Sequence, residues 1–218
     1  MSALSQVGDA STESDGLTIS SCSGLRSLDG LGQLESTPSL SLEQNDNLET
    51  LAGMALTVPP NTLRIRANPR ITTLAPVIPP GAWDANSIVL ERMPGITSLQ
   101  DFSGLRSVTS LMISECDGLT DLTGLEQLKT ALRIMIAQCA ALTSMAGADN
   151  LTNVAGPLAL WTNPALTSLR PLAALERVGL LTLQNNAMLP QCEVDWLAKR
   201  LSKEVPAGVN GPPGMCAP

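Results

Sequence analysis

Apolar residues recur along this chain in a long, regular pattern. The phrase Leu-x-Leu/Ile-x-x-Asn/Cys-x-x-Leu/Ile-x-x-Leu occurs eight times, starting at Leu17, Leu40, Leu63, Ile88, Leu111, Ile134, Leu158 and Leu181. The intervals are 23, 23, 25, 23, 23, 24 and 23 residues, so each phrase is one structural repeat. The third position reads Ile19, Leu42, Ile65, Leu90, Ile113, Ile136, Leu160 and Leu183, and the ninth Leu25, Leu48, Ile71, Ile96, Leu119, Leu142, Leu166 and Leu189. The twelfth reads Leu28, Leu51, Leu74, Leu99, Leu122, Met145 and Leu169, and the fifteenth Leu31, Met54, Val77, Phe102, Leu125, Ala148 and Leu172. Each column is predicted to be one aliphatic stack.

The first and third positions alternate with polar ones, the period-two mark of a strand. Each repeat therefore supplies one short strand to a parallel sheet. The predicted fold is a right-handed β-solenoid of eight rungs over residues 17–190, closed by a short C-terminal helix. At about 4.8 Å per rung, eight rungs extend over roughly 35 to 40 Å. Core contacts lie mostly between rungs, so no rung is expected to be stable alone.

The sixth position reads Cys22, Asn45, Asn68, Met93, Cys116, Cys139, Asn163 and Asn186. A buried Asn there can satisfy backbone groups where the chain leaves the strand, and stacked Asn residues form a ladder. Cys22, Cys116 and Cys139 are expected to be buried thiols acting as small substitutes, with a bond between Cys116 and Cys139 as the less favoured alternative. Met93 cannot substitute, so rung four is expected to interrupt the ladder.

The spacing Leu-x-Ile-x-x-Asn-x-x-Leu, the pairs Asn68-Pro69 and Asn163-Pro164, and phrases such as Leu166-Thr167-Ser168-Leu169 resemble the receptor L-domain variant of leucine-rich repeats. The resemblance covers residues 17 to about 201. It implies the solenoid fold and a place among extracellular recognition domains and surface proteins, bacterial ones included; it does not imply a particular ligand.

At the C-terminal end the pattern changes. Val194, Leu197, Ala198 and Leu201 follow helical spacing, with Trp196 beside them, and predict a capping helix over residues 192–203. Residues 204–218 form a Pro/Gly-rich tail that ends near Cys216. Cys192 and Cys216 flank this cap; a disulfide tying the tail back is the favoured reading, and two unpaired thiols in a cytosolic protein the alternative. Residues 1–16 are polar and acidic without an amphipathic pattern, and are expected to be disordered. They are no signal peptide as they stand, so an extracellular or cell-surface location requires a leader that has been removed.

Composition narrows the function. The net charge is −7 with no basic run, which argues against nucleic acid. No apolar run is long enough to span a membrane. Histidine is absent, which removes the commonest general base and metal ligand together. No cofactor or metal is expected, and the chain is read as non-enzymatic. A single Phe, three Trp and no Tyr suit thin layers of aliphatic side chains better than an aromatic core.

The open face of the sheet is then the expected binding surface. Its outward positions are read as the second, fourth and fifth of each repeat. Val89, Met112, Met135, Ala137, Ala159 and Trp161 form an apolar group on rungs four to seven, a candidate contact site for a protein or carbohydrate. Arg64, Arg66, Glu91 and Arg92 adjoin it. Glu43, Arg66 and Glu91 share one column, and Arg92 is expected to face Glu115; a self-neutralised ladder is favoured there over a carboxylate pair for glycoside chemistry. Thr72, Thr97, Thr120, Thr143 and Thr167 line up in the tenth column. Ser27, Thr50, Thr73, Ser98, Ser144 and Ser168 line up in the eleventh. Local turn chemistry is the favoured reading of these rows, and a water- or ice-ordering surface the remote one. The longest rung, the third, carries extra residues near Pro79-Pro80-Gly81-Ala82-Trp83. Trp83 is read as packing in the column of Val108, Val154 and Val178. A structural or self-associating surface protein remains the alternative to a binding module.

Overall fold

The structure, a computed structural model, describes residues 16–205. The expected disordered segment, apart from Gly16, and the tail with Cys216 lie outside the described residues. The chain forms a parallel β-solenoid of about seven turns. Its strands are β1 (Leu17–Ser20), β2 (Ser39–Glu43), β3 (Thr62–Arg66), β4 (Trp83–Glu91), β5 (Leu105–Ser114), β6 (Thr130–Ala137), β7 (Asn153–Trp161) and β8 (Arg177–Gln184). They make one sheet in chain order. Register follows the repeat: Leu17 pairs with Leu40, Leu40 with Leu63, Leu63 with Ile88, and so on to Leu158 with Leu181. β4 to β8 are eight to ten residues long, against four or five in β1 to β3. The later strands therefore begin several residues before the motif does.

After each strand the chain folds through a series of three-residue steps. The ninth-position N–H donates to the sixth-position carbonyl, as in Leu48 to Asn45, Leu119 to Cys116 and Leu166 to Asn163. The fifteenth donates to the twelfth, as in Leu125 to Leu122 and Leu172 to Leu169. These repeated turns produce the every-third-residue spacing of inward leucines. The series runs one step further, to Leu34, Leu128, Leu151 and Leu175, all buried.

The sixth-position ladder is present. Asn163 donates its Nδ2 to the Ile136 carbonyl at 3.0 Å, and its Oδ1 accepts the Cys139 N–H at 3.1 Å. Asn45 makes the same two bonds to Ile19 and Cys22. Asn68 makes them to Leu42 and Asn45. Each Asn thus serves the rung before it. Met93 fills the same place with an apolar, fully buried side chain and offers neither bond. Cys116 substitutes through sulfur, donating to the Leu90 carbonyl at 3.8 Å.

The fifth position is the main correction to the strand reading. Ser21, Gln44, Ala67, Arg92, Glu115, Gln138, Thr162 and Asn185 all have φ between 50° and 58°. They are left-handed turn residues just past the strand, not members of the open face. Their N–H groups still point along the axis: Ala67 donates to the Glu91 carbonyl at 2.8 Å and Thr162 to the Gln184 carbonyl at 2.9 Å. A left-handed residue turns the chain at the strand end while keeping this donor in the inter-rung row. The strain of the non-glycine conformation, about 1–2 kcal/mol each, is borne at every rung.

The C-terminal cap is α1 (Gln191–Arg200), slightly shorter than the predicted 192–203. Val194, Leu197 and Leu201 close the core. Between rungs the twelfth-position N–H reaches the next rung's backbone, as Leu28 does to Ala52 and Leu122 to Ala146, except at Leu74, where it donates to Asp101 Oδ2 at 2.6 Å. At Leu169 the acceptor is instead the buried carboxylate of Glu193, whose Oε2 accepts the N–H at 2.8 Å. Arg170 Nε bonds the other oxygen at 2.7 Å, and its guanidinium lies 4.7 Å from the centre of the Trp196 ring.

Two substitutions test this account. Asn163→Ala leaves the Ile136 carbonyl and the Cys139 N–H buried without partners, and is expected to cost about 2–4 kcal/mol, read from the denaturant midpoint at an unchanged m-value. Ala67→Gly relieves the left-handed strain and is expected to stabilise by about 0.5–1 kcal/mol, whereas Ala67→Val lowers the midpoint.

Candidate functional site

Strand register fixes the geometry of the open face. Arg64, Val89, Met112, Met135, Ala159 and Thr182 form one continuous row of paired neighbours. Arg66, Glu91, Ser114, Ala137, Trp161 and Gln184 form a second, parallel row. Side chains two apart on a strand share a face, so both rows point outward together.

The predicted apolar group is therefore assembled, but it is not uniformly exposed. Val89, Ala137 and Ala159 are buried, at 6%, 7% and 5% exposure, while Trp161 stands at 39%. Met112 and Met135 lie between, half-buried. Neighbours account for the difference. Val89 lies between Arg64 and Met112, and Ala159 beside Met135. Ala137 is the direct partner of Trp161. Short side chains on a flat sheet are shaded by longer ones on adjacent rungs. They form a floor, above which Met112, Met135 and Trp161 remain the accessible apolar side chains.

The strands' early start adds residues that the motif does not reveal. Pro157 pairs with Leu180, each two residues before a member of the first row, Ala159 or Thr182. Leu180 is 59% exposed. The apolar surface thus continues past the motif's first position. The signal in the sequence is the apolar residue directly before that position, in Pro157-Leu158 and Leu180-Leu181.

The charged end of the face is a paired ladder. Arg66 Nη2 donates to Glu91 Oε1 at 2.8 Å, and its Nη1 lies 3.8 Å from Glu43 Oε2. The bond to Glu91 raises the Arg66 pKa further, burial opposing it and the charges of Glu91 and Glu43 assisting. Arg64 Nε is 4.0 Å from Glu43. Arg92, on its left-handed turn, contacts Glu91 at 3.6 Å rather than the expected Glu115. Both carboxylates of the column thus face Arg66, the arrangement of a neutralised ladder and not of an acid–base pair around a cleft.

The remaining candidates also find places. Ser27, Thr50, Thr73, Ser98, Ser144 and Ser168 each accept the N–H two residues on, the bond of local turn chemistry. In the tenth column, Thr143 and Thr167 donate to the preceding rung's Thr120 and Thr143 carbonyls at 3.1 Å. Trp83 is buried and stacks on Phe102 with ring centres 6.3 Å apart. Its partner is Leu105, and the column expected for it runs instead through Ala85, Val108, Ala131, Val154 and Val178. The chain enters β4 earlier than the motif spacing suggested. A cavity of about 180 Å³ lies between Thr57, Val58, Pro59, Pro79, Pro80 and Trp83, with no titratable group in its wall.

Among the described residues the free cysteines are Cys22, Cys116 and Cys139, so the alternative Cys116–Cys139 bond is not formed. Burial pushes the Cys116 thiol up to about 12 and the Cys139 thiol to about 11. Cys22, expected to be buried, is exposed, and no rung precedes it among the described residues. The expected bond from Cys192 runs to Cys216, outside the described residues. No group of three His, Cys, Asp or Glu side chains that could hold a metal ion occurs among the described residues. No described helix is long and apolar enough to cross a membrane.

No family model, curated protein or solved structure matches this chain. The resemblance to receptor L-domains and leucine-rich repeats accordingly rests on motif spacing, and the site has to be read from its own geometry.

Proposed function

We propose that this chain is a non-enzymatic recognition module that binds a protein or a glycan through the open face of its sheet, centred on Trp161, Met112 and Met135. The observation that carries the reading is the pair of outward rows. They place an exposed Trp beside a small-residue floor and next to two half-buried Met side chains, with Leu180 and Pro157 extending the surface. An indole with one exposed flank and flexible thioethers beside it is suited to a contact surface, and a Trp face also stacks on sugar rings. The paired ladder of Arg64, Arg66, Glu91 and Arg92 borders this surface and would fix orientation more than affinity. No cofactor and no nucleic acid enter the reading. It places the protein outside the cell or on its surface, as the resemblance implies, with the tail held by a Cys192–Cys216 disulfide.

The binding reading is tested by capture of partners from the native surface or culture medium. The double variant Trp161→Ala/Met135→Ala, at unchanged melting temperature, is expected to lose about 2 kcal/mol or more of binding free energy if Trp161 is a hot spot. Equal capture by both proteins would remove the sheet face from consideration. The extracellular reading is tested by thiol counting with a maleimide. Native protein should label at Cys22 alone, and unfolded protein without reductant at Cys22, Cys116 and Cys139. Cys192 and Cys216 should label only after reduction. Labelling of both in unreduced protein would remove the disulfide and the main argument for export.

A further inference from the structure

Charge is distributed unevenly over the open face. On rungs two to four the arginines are compensated: Arg64 lies 4.0 Å from Glu43, and Arg66 bonds Glu91 at 2.8 Å. On rungs five to eight the outward positions are the second, the fourth and the residue just before the first, as Pro157 and Leu180 are. Arg133 is the single charged residue among them. It is exposed, and none of the ion pairs or side-chain hydrogen bonds among the described residues involves it.

Register explains why Arg133 stands alone. Its partner on β5 is Ser110. On the other side the pairing shifts between Ala131 and Ile134, which face Val154 and Leu158, so Leu132 and Arg133 lie opposite Ala155, Gly156 and Pro157. No carboxylate is supplied from either strand. At this irregularity both Leu132, 47% exposed, and Arg133 turn outward. Gly156 adds no side chain over them, and a Cβ there would come within 2.7 Å of the Leu132 carbonyl. Arg133 shares its face with Met135, two residues on. A guanidinium thus stands beside exposed leucine and methionine on the apolar half of the sheet.

We propose that the occupant of this face is a protein segment whose apolar side chains cover Trp161, Met135 and Leu132 and whose carboxylate pairs with Arg133. The proposal rests on the binding reading above and names the chemistry of its partner. Charge complementarity is the argument: a planar fork of donors without a partner on an otherwise uncharged surface matches a carboxylate, and such a pair sets partner choice and register. A glycan fits less well. Trp161 and Arg133 are one rung and four residues apart, about 14 Å by strand geometry. The surface between them is Ala137, Ala159, Met135 and Pro157, which offer no side-chain hydrogen bond. Sugar hydroxyls placed there would lose water without gaining partners, whereas apolar peptide side chains need none. An anionic membrane is recognised by clusters of Lys and Arg, and one cation on a chain of net charge −7 makes no such cluster.

Selection of peptides from a random phage-displayed library tests this, with the whole chain as target and its Trp161→Ala variant as counter-selection. The peptides recovered should be apolar and carry Asp or Glu. A synthetic peptide of the selected sequence should bind the wild type about tenfold more tightly than Arg133→Glu at low salt, and the difference should shrink as ionic strength rises. Exchanging the peptide's acid for Lys should reverse the preference, which loss of folding cannot do. The melting temperature of Arg133→Glu should be unchanged, since the side chain is exposed and unbonded. Trp161-dependent peptides without an acid, or equal binding by Arg133→Glu, overturn the carboxylate pairing and leave the sheet face as the binding site. If no Trp161-dependent peptide is recovered, the protein partner falls. Binding of polygalacturonate that is lost in Trp161→Ala would then keep the face for a glycan, and binding to phosphatidylserine–phosphatidylcholine vesicles would assign it to a membrane surface.

Discussion

Leaving a strand inside a stacked solenoid exposes backbone groups that water cannot reach. The chain must turn sharply after the fourth motif position, yet each rung is covered by the next about 4.8 Å away, so every donor and acceptor at the turn needs a partner on a neighbouring rung. The solution here has two parts. A left-handed fifth residue makes the turn and keeps its N–H in the inter-rung row. A buried sixth residue, Asn in four rungs, sends one donor and one acceptor back to the rung before. Both bonds require register. A shift of one residue would place a fifth- or seventh-position residue such as Gln44 or Pro69 where Asn belongs and turn the leucines outward. Close-packed columns and parallel pairing follow from that fixed register.

This constraint acts along the axis, and its direction matters. Because each Asn serves the preceding rung, Asn186 completes the ladder for rung seven, and what the C-terminal cap must add is cover for the core and an acceptor for the twelfth-position N–H of rung seven, at Leu169. Glu193 supplies the acceptor and α1 the cover. A buried carboxylate is costly unless it is paired and fully bonded, and here it holds a backbone N–H, a hydroxyl and Arg170. The first rung lacks the reverse: its aliphatic layer and strand edge have no preceding partner among the described residues.

The fold was legible because the inward columns are repetitive and redundant. Eight copies of one phrase fix register and sheet direction even where a copy is poor, as with Met93 or Ala148. What was not legible came from features that the phrase does not contain. The fifth residues Ser, Gln, Ala, Arg, Glu, Gln, Thr and Asn have no shared chemistry, and only Asn favours left-handed backbone; the conformation is imposed by the stack. The long strands of rungs four to eight begin in sequence that reads as loop, so the phrase does not reveal Leu180 and Pro157 and puts Trp83 in the wrong column. Burial on the open face depends on which residue lies one rung away, some 23 residues along the chain. Alternation therefore identified Val89, Ala137 and Ala159 as outward but not as shaded.

The same separation of roles underlies the proposed binding surface. Inward positions are held to Leu, Ile and Asn by packing and by the ladder, so they carry little information beyond the fold. Outward positions are nearly free of that demand, and a solenoid under structural constraint alone would place small or polar residues there, as rungs one and two do with Thr18, Ser20, Ser41 and Glu43. Against that background the fourth-position row passes from Arg66 and Glu91 through Ser114 and Ala137 to Trp161. Trp161 leaves much of a large apolar side chain in water, where stability gains nothing from its exposed part. Met112 and Met135 do the same to a lesser degree one row over. Nothing in the rung geometry requires these three side chains, and binding is the physical role that would use them.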